Sequence, residues 1–180
     1  MSKGDVILEI SDLDFDPQYI MSDQSQYNNR EAVRGVVIRG DTIALIDVTN
    51  LGFHKLPGGG IEKGESIEQA FKREALEEIG CDCEVVSELG TIIEWRDQFK
   101  LKQISYVVVA KVVGELKPNK LEPSEIAEGF ATRWVNLDEA TRLLLTDHPT
   151  DYEGHFILKR DLAIINTYIS IKEHLCQSKK

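Results

Sequence analysis

The sequence predicts an α/β protein in which a mixed β-sheet lies between helices. Three observations carry that expectation. Runs rich in Val and Ile alternate with turn signals across residues 32–56, and a helix with capping signals at both ends follows over residues 66–80. Two long strand patterns, a third short one and two helical patterns complete the chain. The length agrees, since 180 residues are ample for one such domain and tight for two.

In chain order, residues 1–30 are polar and form an N-terminal arm or strand, whose apolar patch at residues 6–10 alternates as a strand does. A partly mobile arm and a strand that packs on the domain, or pairs with a second subunit, are both open. A single domain is expected over residues 31–175, with a short tail at 176–180. Residues 32–39 and 42–49 flank Gly40-Asp41, a hairpin signal. A short strand at 53–56 leads into Pro57-Gly58-Gly59-Gly60. Ser66 with Gln69 three residues on makes a capping box, and Gly80 stands where a left-handed residue closes a helix. Strands are expected at 83–95 and 103–113, joined as a hairpin. Residues 116–129 read as a polar loop with two prolines. A strand at 130–135 precedes a helix capped by Asn136, and Leu158, Leu162, Ile165 and Ile169 mark a C-terminal helix over about 154–175.

The chemistry gathers on the capped helix. Glu74, Glu77 and Glu78 stand at i, i+3 and i+4 and therefore project from one side, where like charges repel. Glu74 and Glu78 also fall within about 20° of Ile67, on the side of Ala70 and Phe71 that should be buried. Acids at a helix C-terminus oppose its dipole as well. A divalent cation held by oxygen ligands is the simplest physical answer. The glycine turn just upstream lets backbone approach a ligand with no Cβ in the way.

The segment Gly59 to Cys81 fits the pattern G-x5-E-x7-R-E-U-x-E-E-x-G-U, with U aliphatic, at Gly59, Glu65, Arg73, Glu74, Ala75, Glu77, Glu78 and Gly80. It resembles the Nudix box of the MutT-like pyrophosphohydrolases. Cys81 replaces the usual aliphatic residue and acts there as a small hydrophobe. The resemblance implies the Nudix fold, an α/β/α sandwich with a mixed β-sheet, and weaker likeness runs from Ala32 to Ala140. It implies Mg²⁺, or Mn²⁺ in its place, bound by the Gly58 carbonyl with Glu77 and Glu78. Glu74 is then a further ligand or the base that activates water. Arg73, in the catalytic set or as a structural partner of Glu65, orients helix and loop. Relatives often add a carboxylate from a loop outside the box, for which Glu122, Glu125 and Glu128 are candidates and Glu128 is the preferred ligand. Trp95, Phe53 and Phe99, with His54, are candidates for contact with base or sugar.

The implied reaction is hydrolysis of a pyrophosphate bond in a nucleoside diphosphate linked to another group. A (deoxy)nucleoside triphosphate, normal or oxidised, is favoured, because the proline that marks ADP-ribose pyrophosphatases after the box is missing: the next proline is Pro118. ADP-ribose or a nucleotide sugar is the runner-up. A nucleotide-sensing domain that does not hydrolyse is the alternative of another class, weakened because every box carboxylate is kept.

Composition sets the remaining bounds. A net charge of −10 argues against charge-driven binding to nucleic acid or anionic membrane. Cys81, Cys83 and Cys176 make no disulfide framework or zinc pattern, and neither a signal peptide nor a membrane-length apolar run is evident. The expectation is a soluble cytoplasmic protein with a nucleotide as partner. The N-terminal arm is a candidate contact for a homodimer. His148, His155 and His174 lack metal spacing and read as surface residues.

Overall fold

A computed structural model describes residues 5–177. Strand β1 (Val6–Ser11) is followed by β2 (Asn28–Arg39), β3 (Thr42–Val48) and β4 (Phe53–Lys55). Helix α1 (Ile67–Ile79) precedes β5 (Asp82–Arg96) and β6 (Leu101–Val113). The chain ends with α2 (Pro123–Glu128), β7 (Phe130–Val135), α3 (Leu137–Thr146) and α4 (Tyr152–Gln177). The sheet order is β1-β5-β6-β2-β3-β4, with β7 on β3. The sheet is mixed as expected: β1–β5 and β2–β6 run parallel, while β5–β6, β2–β3, β3–β4 and β3–β7 run antiparallel.

Alternation along the strands divides the apolar residues between two cores. Val33, Val37, Ala44 and Ile46 pack with Ala70, Phe71, Ala75 and Ile79 of α1. Val36, Ile43, Leu45 and Val107 pack on the opposite face with Leu143, Leu144, Phe156, Ile164 and Ile165 of α3 and α4. The sheet therefore lies between helices, an α/β/α sandwich. Among the described residues no helix is long and apolar enough to cross a membrane.

Helix α1 begins and ends on its local signals. Ser66 Oγ accepts from the Gln69 N–H at 3.2 Å, and Gln69 Oε1 accepts from the Ser66 N–H at 2.8 Å. Gly80 closes the helix at φ 66°. Helix α4 starts two residues before its expected position, at Tyr152. The segment at 116–129 is not loop throughout, because α2 forms within it. Pro123 occupies the first helical turn, where its missing N–H costs nothing, and the Glu122 N–H donates to Glu125 Oε2 at 2.7 Å.

The N-terminal patch joins its own chain's sheet, with Leu8 opposite Ile92 and Ile10 opposite Glu94. The segment after it is tied to the end of the sheet by Asp97, whose carboxylate accepts from the Tyr19 hydroxyl at 2.7 Å, from the Ser22 N–H at 3.2 Å and from the Tyr27 hydroxyl. Cys81 and Cys83 are free and buried, and burial pushes their thiols up to about 12 and about 11. The Cys176 side chain and residues 178–180 of the expected tail lie outside what is described, as do residues 1–4 of the arm.

Candidate active site

Backbone pairing fixes the glycine turn before any side chain acts. The Gly35 N–H donates to the Pro57 carbonyl at 3.1 Å, Val33 N–H to Gly59 at 2.9 Å, and Ile61 N–H to Glu31 at 3.1 Å. The turn thus lies along the edge of β2 as an added strand. From the opposite layer, Asp161 of α4 accepts the Leu56 N–H at 2.7 Å. Between this turn and the C-terminal half of α1 opens a cavity of about 360 Å³, reached by Glu74, Glu77 and Glu78.

The three glutamates meet different surroundings. Glu78 is 2 % exposed; its Oε1 pairs with Lys55 Nζ at 2.8 Å and its Oε2 accepts the Gly58 N–H at 2.7 Å. Glu74 is also buried, with Oε1 at 2.8 Å from Arg73 Nη1. A Cβ at position 59 would overlap the Glu74 carboxylate and push it aside, so glycine there leaves the carboxylate its place. Burial, and next the charge of Glu78, push the Glu74 carboxyl above its ordinary pKa despite Arg73. Glu77 is the most exposed of the three and lies 3.2 Å from Arg73 Nη1.

Arg73 braces this end of the helix. Its Nε and Nη2 reach the two oxygens of Glu65 at 2.8 and 3.0 Å, and Nη2 also donates to the Gly60 carbonyl at 2.9 Å. The hydrogen bond from Arg73, with the Glu62 N–H, holds Glu65 down at about 2. The expected pairing of Arg73 with Glu65 is present, and it ties the helix to the loop.

Three cationic groups of the cavity escaped the sequence reading. Arg34 and Arg30 reach the cavity from β2, and Lys55 from β4. Arg34 is 7 % exposed; its Nη1 donates to the Val33 carbonyl at 2.9 Å, and its buried Nε has no partner. Burial and then the like charge of Arg160 lower it to about 10. Arg30 Nη1 donates to Gln103 at 3.1 Å. One signal for Arg34 was available: it is a lone charge inside the apolar run from Ala32 to Val37.

Other expected residues lie elsewhere. Glu122 and Glu125 reach the cavity, whereas Glu128 does not. Winding residues 123–128 as a helix carries Glu128 to the far end, where its carbonyl accepts the Asn50 N–H at 3.1 Å. Phe53 is 3 % exposed in the core. Trp95 follows Glu94 and so faces the other side of the sheet, donating to Glu9 at 2.6 Å under Lys102. Phe99 stands against the Tyr152 ring at 5.3 Å. His54 is buried, with Nδ1 3.0 Å from Asp147. His148, His155 and His174 are exposed. None of these aromatic side chains is brought to the cavity.

Among the described residues no three His, Cys, Asp or Glu side chains are already gathered as a metal cluster. The box carboxylates are turned instead onto Arg73 and Lys55. The donor set nevertheless fits a hard divalent cation: the available donors are carboxylate oxygens on one helix face, Gly59 leaves room for the Glu74 carboxylate, and a cation would offset the burial and the Glu78 charge that raise it.

The NUDIX domain family model matches residues 28–155. Nudix hydrolase 4 of Arabidopsis thaliana is 32% identical over 111 residues, covering 62% of this chain and 51% of that protein. An RNA pyrophosphohydrolase of Campylobacter jejuni is 32% identical over 116 residues, covering 63% of this chain and 64% of that one. The chain thus spans about half the length of the first relative and under two thirds of the second. A solved NUDIX hydrolase from Nitrosomonas europaea superposes with a TM-score of 0.59 at 20% identity, over 79% of this chain and 90% of its own, which is a likeness of fold. The family match spans the strands, the glycine turn and the acidic helix that build the cavity, and the chain belongs to the NUDIX domain family.

Proposed function

We propose that the chain is a divalent-cation-dependent pyrophosphohydrolase that cleaves a nucleoside diphosphate linked to another group. The observation that carries this is the meeting, in one cavity, of three box carboxylates with the buried guanidinium of Arg34, which has an unpaired Nε. Carboxylates alone suit a cation and guanidinium alone suits an anion, so the pair suits a polyanion bound through cations.

In this reading Gly58, Glu74, Glu77 and Glu78 hold Mg²⁺, with Mn²⁺ able to replace it. Bound there, the ion neutralises diphosphate oxygens and acidifies a water. Glu74, buried beside Glu78 on the cavity wall, serves as a further ligand or as the base that takes a proton from the attacking water. Glu125 replaces Glu128 as the loop carboxylate, since it lines the cavity and feels the charge of Glu78. Arg34 and Arg30 face the phosphates and hold the scissile bond for in-line attack. Arg73 keeps helix and turn in register.

A (deoxy)nucleoside triphosphate, normal or oxidised, is the favoured substrate. The test is product analysis with Mg²⁺ on ATP, an oxidised deoxyguanosine triphosphate, ADP-ribose and a nucleotide sugar. Conversion of a triphosphate to the monophosphate supports the favoured substrate, and preferential cleavage of ADP-ribose or the sugar selects the runner-up. Failure to cleave any of them, with tight nucleotide binding by calorimetry, supports a sensor and overturns the hydrolase.

A further inference from the structure

We propose that Lys55 is a built-in counterion of Glu78 that gives way to the divalent cation and then contacts the substrate's phosphate. The proposal rests on the metal-binding reading of the cavity given above. Its ground is the contrast between the two cations that hold the box carboxylates.

Arg73 is locked. Five hydrogen bonds fix its guanidinium, two to Glu65 and one each to Gly60, Glu74 and Glu77. Lys55 is not. Its ammonium makes one ion pair, to Glu78 Oε1 at 2.8 Å, and stands 4.4 Å from the centre of the Phe130 ring. Its backbone is fixed in β4 opposite Ile46, so only the four-carbon stem moves. The two partners are 13 % and 2 % exposed, and removing the cation from a buried carboxylate without replacing it leaves a costly uncompensated charge.

The other oxygen of Glu78 is held by the Gly58 N–H, within three residues of Lys55. Oε1 is therefore the oxygen open to exchange, and the ammonium is the group that leaves. Lys55 lines the cavity beside Arg34, with Glu125 also on its wall. Released from Glu78, the ammonium stays on the cavity wall, where Glu125 already feels its charge, and a bound phosphate offers it a stronger anionic partner than a single carboxylate.

Calorimetry on the wild-type chain, Lys55→Met and Lys55→Arg tests this with two probes, Mn²⁺ alone and imidodiphosphate (a non-hydrolysable diphosphate) in the presence of Mn²⁺. Lys55→Met should bind Mn²⁺ tighter by about fivefold or more, because Glu78 has lost its internal partner. The same variant should bind imidodiphosphate more weakly by a similar factor, while Lys55→Arg should stay near wild type in the second measurement. A purely structural Lys55 would weaken both, and that result overturns the proposal. Should Lys55→Met be too unstable alone, its melting temperature must rise more on adding Mn²⁺ than that of wild type; an equal or smaller rise counts against the exchange. Binding of Mn²⁺ by wild type with unchanged binding in Lys55→Met overturns the role of Lys55 alone. No binding by the wild-type chain overturns the metal site and this proposal with it.

Discussion

Gly59 and Gly35 both stand where a Cβ would collide, but they protect different things. At Gly59 the colliding atoms belong to the Glu74 carboxylate, and at Gly35 to the Phe71 ring in the core. Gly59→Ala should therefore displace a flexible carboxylate and lower turnover about tenfold or more, with little change in the unfolding midpoint. Gly35→Ala should instead cost stability, about 1–3 kcal/mol by urea unfolding, because a packed ring cannot retreat. Glu65 gives a pH prediction. Its folded pKa is depressed from 4.5 to about 2, so its contribution to stability is complete above pH about 4.5 and lost as pH falls through about 2. The stability gap between wild type and Glu65→Gln should shrink over that window; a constant gap would show that the Arg73 brace does not depend on charge.

Elements built from local signals were legible in the sequence. Helix α1 could be placed from its capping box, its C-terminal glycine and a single apolar face, and the acidic part of the site came with it because i, i+3 and i+4 spacing is a local fact. Helix α2 was missed because its six residues carry little apolar periodicity and its Pro123 reads as a breaker unless placed in the first turn. That helix bears on the loop carboxylate, since its winding puts Glu125 on the cavity wall and Glu128 away from it. Glu125→Ala should lower turnover while Glu128→Ala leaves it near wild type; the reverse order, measured at saturating substrate, would restore Glu128.

At the scale of the whole molecule, the pairings β2–β6 and β1–β5 join residues some 70–85 positions apart, and no local pattern states them. The cations of the cavity were hidden for the same reason, since Arg34 and Lys55 meet the box only through the tertiary fold. A buried polar row lies behind them. Glu94 of β5 accepts from Arg96 at 2.8 Å and from Gln103 at 2.7 Å, and Gln103 accepts from Arg30 of the cavity. Burial alone would raise the Glu94 carboxyl, but the charges of Arg160 and Arg96 hold it below its ordinary range. Arg160 of α4 is fully buried and joins Asp161 at 2.6 and 3.1 Å, while Asp161 holds the Leu56 N–H beside the glycine turn. Asp161→Ala leaves the Leu56 N–H without its acceptor and the buried Arg160 guanidinium with the more distant Glu94, 3.8 Å away, and should cost about 3–5 kcal/mol in urea unfolding. A loss under about 1 kcal/mol would mean that α4 does not hold the turn.

The account stands on the box carboxylates as cation ligands at a pyrophosphate bond. Its most direct test is Mg²⁺-dependent hydrolysis of the best substrate by wild type, Glu77→Gln and Glu78→Gln, with folding checked by circular dichroism. Turnover should require Mg²⁺ and fall by about a hundredfold or more in either variant. Near-unchanged rates in a folded Glu78→Gln, or full activity of wild type in excess chelator, would contradict it.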